Sequence, residues 1–237
     1  MTDTQQAPSL RLLLTGFEPF GGASVNPSWE LAMRFEGNTI EMVHVQTAVL
    51  PVNWARAWDA LRVAIERVDP QWVLMLGLAA TRTAVGAEVR ARNYTTPVPD
   101  NAGALPPPDD LIEPDGPQFR VCTLPAPLIA ERMQEAGVPA EISTDAGSYL
   151  CNWTLYKVLA YADGRRGLRG VGFVHIPPLR GEGGNPALGL DSLEKALRLV
   201  IDSLVAGQAP LFDIVEAEIE AERASELAER ISRQGHA

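Results

Sequence analysis

The sequence predicts an α/β protein: one three-layer α/β/α sandwich around a mostly parallel, twisted mixed sheet. Two observations carry this. Short apolar runs alternate with amphipathic stretches, β-α-β-α-β over the first 78 residues. The run "WVLMLGL" (72–78) is apolar throughout, as a strand covered on both faces must be. The 237 residues suffice for one large core, and no repeat or composition shift marks a second unit. A single catalytic domain over 1–237 is expected, with 1–9 and about 234–237 disordered.

Taken in order, "LRLLLTG" (10–16) reads as a buried strand. A helix follows in "NPSWELAMRFEG" (26–37), with Ser28, or Asn26 ahead of Pro27, as its cap and Gly37 as its stop. "TIEMVHVQTAVLP" alternates and reads as a half-buried strand. "NWARAWDALRVAIERVDP" gathers Trp54, Trp58, Leu61 and Ile65 near one face of a helix that ends before Pro70. After strand 72–78, "TAVGAEVRARNYT" reads as one further strand. Residues 96–118 carry seven prolines and read as a long loop: a cover near a site, a subunit contact, or a plain mobile loop. Then come strand "FRVCTL", helix "APLIAERMQEAG", strand "AEIS", helix "GSYLCNWTLYKVLAYA" and strand "GVGFVHIPPL" (170–179). A flexible loop "RGEGGNPALG", helix "LDSLEKALRLVIDSLVAG" and a charged, Ala-rich tail close the chain.

Composition excludes several classes. A formal net charge of −10 and the lack of a basic stripe argue against a nucleic-acid partner. No apolar stretch reaches the roughly 18 residues of a membrane span, and no signal peptide is read at the start. Two cysteines give no disulfide framework, which fits a reducing cytoplasm. Two Cys and three His at scattered positions give no metal-ligand spacing, so no metal or other cofactor is expected.

One of those cysteines is placed for chemistry. A thiolate attacks carbonyl carbon, so a catalytic Cys is expected to have its pKa lowered. Cys151 falls in the first turns of a predicted helix, where the dipole favours an anion and backbone N–H groups can hold an oxyanion. Cys122, mid-strand, has neither advantage. A base is then needed. His236 is next to last and His44 lies far back in an alternating strand. His175 ends the strand after the Cys151 helix, and a helix and the strand that follows it run antiparallel. The amino end of that helix therefore meets the carboxyl end of that strand, where sites gather in α/β sheets. For a third group that orients the base, Glu88 and Asp145 both qualify on these grounds. "TGFEPFGG" could suggest a phosphate loop, but it lacks the Lys-Ser/Thr ending and carries Glu18.

Four stretches, "TGFEPFGGASVNPSWE", "GAEVRARN", "STDAGSYLCN" and "GFVHIP", resemble the signature regions of the pyroglutamyl-peptidase I family of cysteine peptidases. The resemblance runs from about residue 11 to 200. It implies removal of an amino-terminal pyroglutamyl (5-oxoproline) residue from peptides, with Cys151 as nucleophile, His175 as base and acid, and Glu88 rather than Asp145 orienting His175. It also implies that Phe17 and Phe20 line an apolar pocket for the lactam ring, with Leu78 at the pocket position where the family usually carries Gln. The family's Arg ahead of "PDN" has no counterpart in "NYTTPVPDN", although Arg82 or Arg92 could substitute. Both departures bear on substrate preference. The alternatives are a divergent cysteine amidase for another small amino-terminal group and a silent binding protein. The resemblance also implies a homo-dimer or homo-tetramer.

Overall fold

The computed structural model describes residues 10–107, 110–179 and 188–206. The expectations for residues 1–9, for the loop beginning at 180 and for the tail beyond 206 lie outside them. Nine strands are described: β1 (Leu10–Phe17), β2 (Thr39–Ile40), β3 (Val43–Leu50), β4 (Trp72–Leu78), β5 (Val85–Glu88), β6 (Arg90–Arg92), β7 (Phe119–Val121), β8 (Ala140–Ser143) and β9 (Gly170–Ile176). Five helices accompany them: α1 (Pro27–Met33), α2 (Ala57–Val68), α3 (Ala126–Glu135), α4 (Leu150–Ala162) and α5 (Leu190–Ala206).

Seven strands form one sheet in the order β2-β3-β1-β4-β9-β5-β8. The central strands β3, β1, β4 and β9 are mutually parallel, whereas β5 runs antiparallel to β9 and β2 antiparallel to β3. Because side chains alternate along a strand, the sheet feeds two cores. Leu12, Leu14, Leu74, Leu76, Val174 and Ile176 face one core, covered by α1, α3 and α5. Leu13, Phe17, Val73, Met75, Val171 and Phe173 face the other, covered by α2 and α4. This is the expected three-layer sandwich with a mostly parallel mixed sheet.

Three local expectations change. The stretch 39–50 is two strands, because Glu41 takes a left-handed turn (φ 50°) that folds β2 back on β3. The helix carrying the tryptophans begins only at Ala57, so Trp54 precedes it. There its N–H donates to Asp100 Oδ2 and its indole N–H to Val98 O. The strand read over 83–95 breaks at Val89. There the backbone N–H turns to Ser143 O and the carbonyl accepts from Cys122 N, so β6 leaves the main sheet to pair with β7 in a second, two-stranded one. The cap of α1 is Asn26, whose side chain accepts from Ser28 N at 3.0 Å.

Candidate active site

The register of three adjacent strands builds the site. In β4 and β9, Gly77 pairs with His175; in β5 and β9, Gly86 pairs with His175 and Glu88 with Phe173. Paired residues point to the same face, so Gly77, His175, Gly86, Glu88 and Phe173 all address the α4 side. Two of the five are glycines. The space their missing side chains leave is taken by groups from elsewhere, and those groups carry the chemistry.

Over Gly77 sits the thiol. A Cβ on Gly77 would lie 2.9 Å from Cys151 Sγ and 2.7 Å from Phe173 Cζ. Cys151 is the second residue of α4, and His175 the last but one of β9. The amino end of the helix therefore meets the carboxyl end of the strand, as the chain order predicts. Gly77 is the β4 partner of His175, so the thiol stands over the strand column next to the imidazole, adjacent strands being roughly 4.8 Å apart. No hydrogen bond joins the Cys151 thiol and the imidazole in this resting arrangement.

Behind His175 lies Glu88, 1% exposed, with its Oε1 2.7 Å from His175 Nδ1. An ionised carboxylate only accepts, so the contact holds the proton on Nδ1 and leaves Nε2 as the acceptor. The ring of His175 is further fixed by Phe173, with centroids 4.6 Å apart. Of the two carboxylates, Glu88 is the one in contact with His175. Asp145 Oδ1 is committed to Arg92 Nη2 at 2.7 Å and Gly147 N at 2.9 Å, shaping the turn before α4.

A cavity of about 380 Å³ opens between the ends of β1, β4 and α4. Phe17, Phe20, Leu78, Cys151 and His175 all line it, so five of the six expected site residues share one cavity; Glu88 stands behind the imidazole. Sequence reasoning missed Asn26, Ser148 and Tyr149 as lining. Asn26 shows only its capping signal in the sequence, and its Nδ2 also donates to Glu18 O at 3.1 Å. Residues 96–101 of the long loop, open to three readings, pack beside this cavity. Tyr149 Oη donates to Pro99 O, Thr96 N donates to Ser148 O, and Asn101 Nδ2 donates to Glu18 Oε1 and Pro19 O.

The surroundings of the sulfur oppose the helix amino end. Burial and the nearby Glu88 carboxylate push the Cys151 thiol up to about 12, although its own backbone N–H and Arg82 pull the other way. The helix amino end is in place, and α4 has no side-chain cap competing for its first N–H groups. Desolvation outweighs it, so the resting sulfur is a thiol. Cys122, fully buried near the same carboxylate, is pushed up further still. Among the described residues no group of three or more His, Cys, Asp or Glu is arranged to hold a metal ion.

A thiol, an imidazole and a buried carboxylate gathered at the carboxyl edge of a mostly parallel sheet put the chain among the cysteine peptidases. Comparison with known proteins gives the family. The family model described as pyroglutamyl peptidase matches residues 10–206. The pyrrolidone-carboxylate peptidase of Gloeobacter violaceus is 37% identical over 204 residues, covering 84% of this chain and 98% of the relative. The crystal structure of Bacillus amyloliquefaciens pyroglutamyl peptidase I superposes with a TM-score of 0.79 at 30% identity, covering 85% of this chain and 100% of that one. The pyrrolidone carboxyl peptidase of Thermococcus litoralis gives 0.77 at 34% identity, again covering 85% and 100%. The chain belongs to the pyroglutamyl peptidase family.

Proposed function

We propose that this chain hydrolyses the amide bond that follows an amino-terminal pyroglutamyl residue, through an acyl-enzyme on Cys151. The observation that carries the reading is the arrangement about His175: Glu88 Oε1 at 2.7 Å on one side and, on the neighbouring column, the thiol over Gly77. The lactam ring lies between Phe17 and Phe20, where a flat uncharged ring gains from apolar and aromatic contact.

His175 Nε2 takes the thiol proton as sulfur attacks the pyroglutamyl carbonyl. Glu88 stabilises the imidazolium that forms. First-turn N–H groups of α4 receive the oxyanion. His175 then gives its proton to the departing amine, the C–N bond breaks, and a thioester remains. Water, deprotonated by His175, attacks the thioester. Pyroglutamate leaves and the thiol is restored. Because the resting sulfur is protonated, proton transfer accompanies attack rather than preceding it. The test is release of the leaving group from a pyroglutamyl-amide reporter. Wild type turns it over and Cys151→Ala does not, whereas full activity in Cys151→Ala with loss in Cys122→Ala rejects the assignment.

A second reading, a cysteine amidase for a different small amino-terminal group, draws on the pocket wall. Leu78 offers no hydrogen bond there, Arg92 is paired with Asp145, and Arg82 is turned to Glu88. Alkylation of Cys151 by iodoacetamide without any pyroglutamyl turnover would favour it. Among the described residues no helix is long and apolar enough to cross a membrane. A cytoplasmic homo-oligomer acting on peptides is the setting we propose, and a monomer mass by light scattering would reject the oligomer.

A further inference from the structure

We infer that Arg82 is a positioning residue of this site: its guanidinium shares Glu88 Oε1 with His175 and thereby fixes both the carboxylate and the imidazole it holds. Arg82 Nη2 stands 3.0 Å from that oxygen, while His175 Nδ1 stands 2.7 Å from it on the other side. Glu88 Oε2 has no hydrogen-bond partner among the described residues, so the one oxygen carries both contacts. The same Nη2 donates to Ser143 Oγ at 2.8 Å and to Asp145 O at 2.9 Å, tying the guanidinium to the segment that leads into α4. Arg82 itself sits in the turn after β4 and lines the cavity. Strand β5, the turn after β4 and the approach to the Cys151 helix are thus pinned together at one cation.

The fold makes room for this contact. Gly86 is the strand partner of His175, and a Cβ on it would collide with Arg82 Nη1. No other residue type at 86 leaves the guanidinium where it is. A fully buried carboxylate needs compensation for its lost hydration, and a neutral imidazole supplies one hydrogen bond only. Arg82 supplies the positive charge. It also offsets part of the pull that the Glu88 carboxylate exerts on a proton at His175.

Among the described residues, the charged and titratable groups about His175 are Glu88 on β5, Arg82 after β4 and, lining the same cavity, Cys151 on α4 with Asp145 and Tyr149 ahead of it; beyond Glu88 lies the buried Cys122 following β7. Removing the cation leaves Glu88 facing the imidazole alone. The imidazolium is then favoured, and the base form is lost at a higher pH.

This inference rests on the reading of His175 and Glu88 as catalytic partners, but its test does not require turnover. The imidazole titration of His175 is followed by NMR in wild type, Arg82→Gln, Arg82→Lys and Gly86→Ala, with His175→Gln for assignment. Arg82→Gln and Gly86→Ala are expected to raise the His175 midpoint by about half a pH unit or more, and Arg82→Lys to restore most of it. On the pyroglutamyl reporter, the same two variants are expected to lose about 3- to 30-fold in kcat with KM within about twofold, the acid limb moving up with the midpoint. An unmoved midpoint in folded Arg82→Gln, or a loss confined to KM, overturns the inference. If Arg82→Gln does not fold, Gly86→Ala against Arg82→Lys decides on the same readouts. A wild type that ignores the reporter would sink the functional reading, while the titration would still decide the role of Arg82.

Discussion

Gly77 stands in register with His175, and the atom it lacks would touch Cys151 Sγ at 2.9 Å. The thiol therefore occupies a notch in the sheet beside the imidazole. Gly77→Ala must push the sulfur or the Phe173 ring aside, and Phe173 in turn packs on His175. We expect a folded variant with kcat reduced at least about 100-fold, since small misplacement of reacting groups is costly. Thermal unfolding and steady-state kinetics check this; near-wild-type kcat would mean the notch is irrelevant.

Glu88→Gln keeps the shape of the side chain and removes the charge that stabilises imidazolium. The expected loss is about 10²- to 10⁴-fold in kcat with little change in KM. A loss in KM alone would move Glu88 out of the reaction and into binding.

The state of the sulfur has a pH signature. Cys151 is held as a thiol, with its pKa pushed up from 9.0 to about 12 by burial and by Glu88. At neutral pH the free enzyme is therefore expected to react with iodoacetamide no faster than a small thiol, the rate still climbing above pH 9. Below pH 9 both folded and unfolded thiols are protonated and the contribution to stability is intact. Between about 9 and 12 the unfolded chain releases its proton first, so stability falls as pH rises. Melting curves of wild type and Cys151→Ala over pH 8–11 should diverge, the variant falling less. Fast alkylation saturating below pH 7 would contradict a resting thiol.

This is also where sequence reasoning ran short. A cysteine at a helix start is visible in "GSYLCNW", and so is the helix–strand turn-back that brings His175 to it, because both follow from chain order and apolar pattern. The desolvation that overrides the helix dipole depends on Glu88 and on packing, which no local stretch displays. Likewise "AATRT" contains nothing to say that Arg82 reaches Glu88; that contact exists because β5 lies antiparallel beside β9 with Gly86 opposite His175. The break at Val89 was hidden by an alternating pattern that continues across two different sheets. The loop 96–118 looked unstructured because the anchors of its described residues are side chains. Asp100 accepts from Trp54, Ala102 and Ala104, and Asn93 bonds Glu113 and Gly116.

The two phenylalanines of the pocket should separate under mutation. Phe17 is 3% exposed and belongs to the core under α2 and α4, so Phe17→Ala is expected to cost about 3–5 kcal/mol of stability. Phe20 is only half-buried, so Phe20→Ala is expected to cost less than that and to appear chiefly as a raised KM. Denaturant titration beside kinetics measures both; equal stability losses would place Phe20 in the core instead.

Leu78 lines the cavity without offering a hydrogen bond. Leu78→Gln is expected to lower KM for the pyroglutamyl reporter by about 2- to 10-fold, the worth of one hydrogen bond, with kcat nearly unchanged. A raised KM would mean that the apolar wall suits the substrate better than an amide does.

The most direct measurement catches the intermediate. Wild type mixed with a pyroglutamyl ester is acid-quenched within milliseconds, digested and mapped by mass. The account predicts a pyroglutamyl thioester on the peptide containing Cys151, and none in Cys151→Ala. An acyl group on the Cys122 peptide, or turnover that continues in Cys151→Ala, would contradict it.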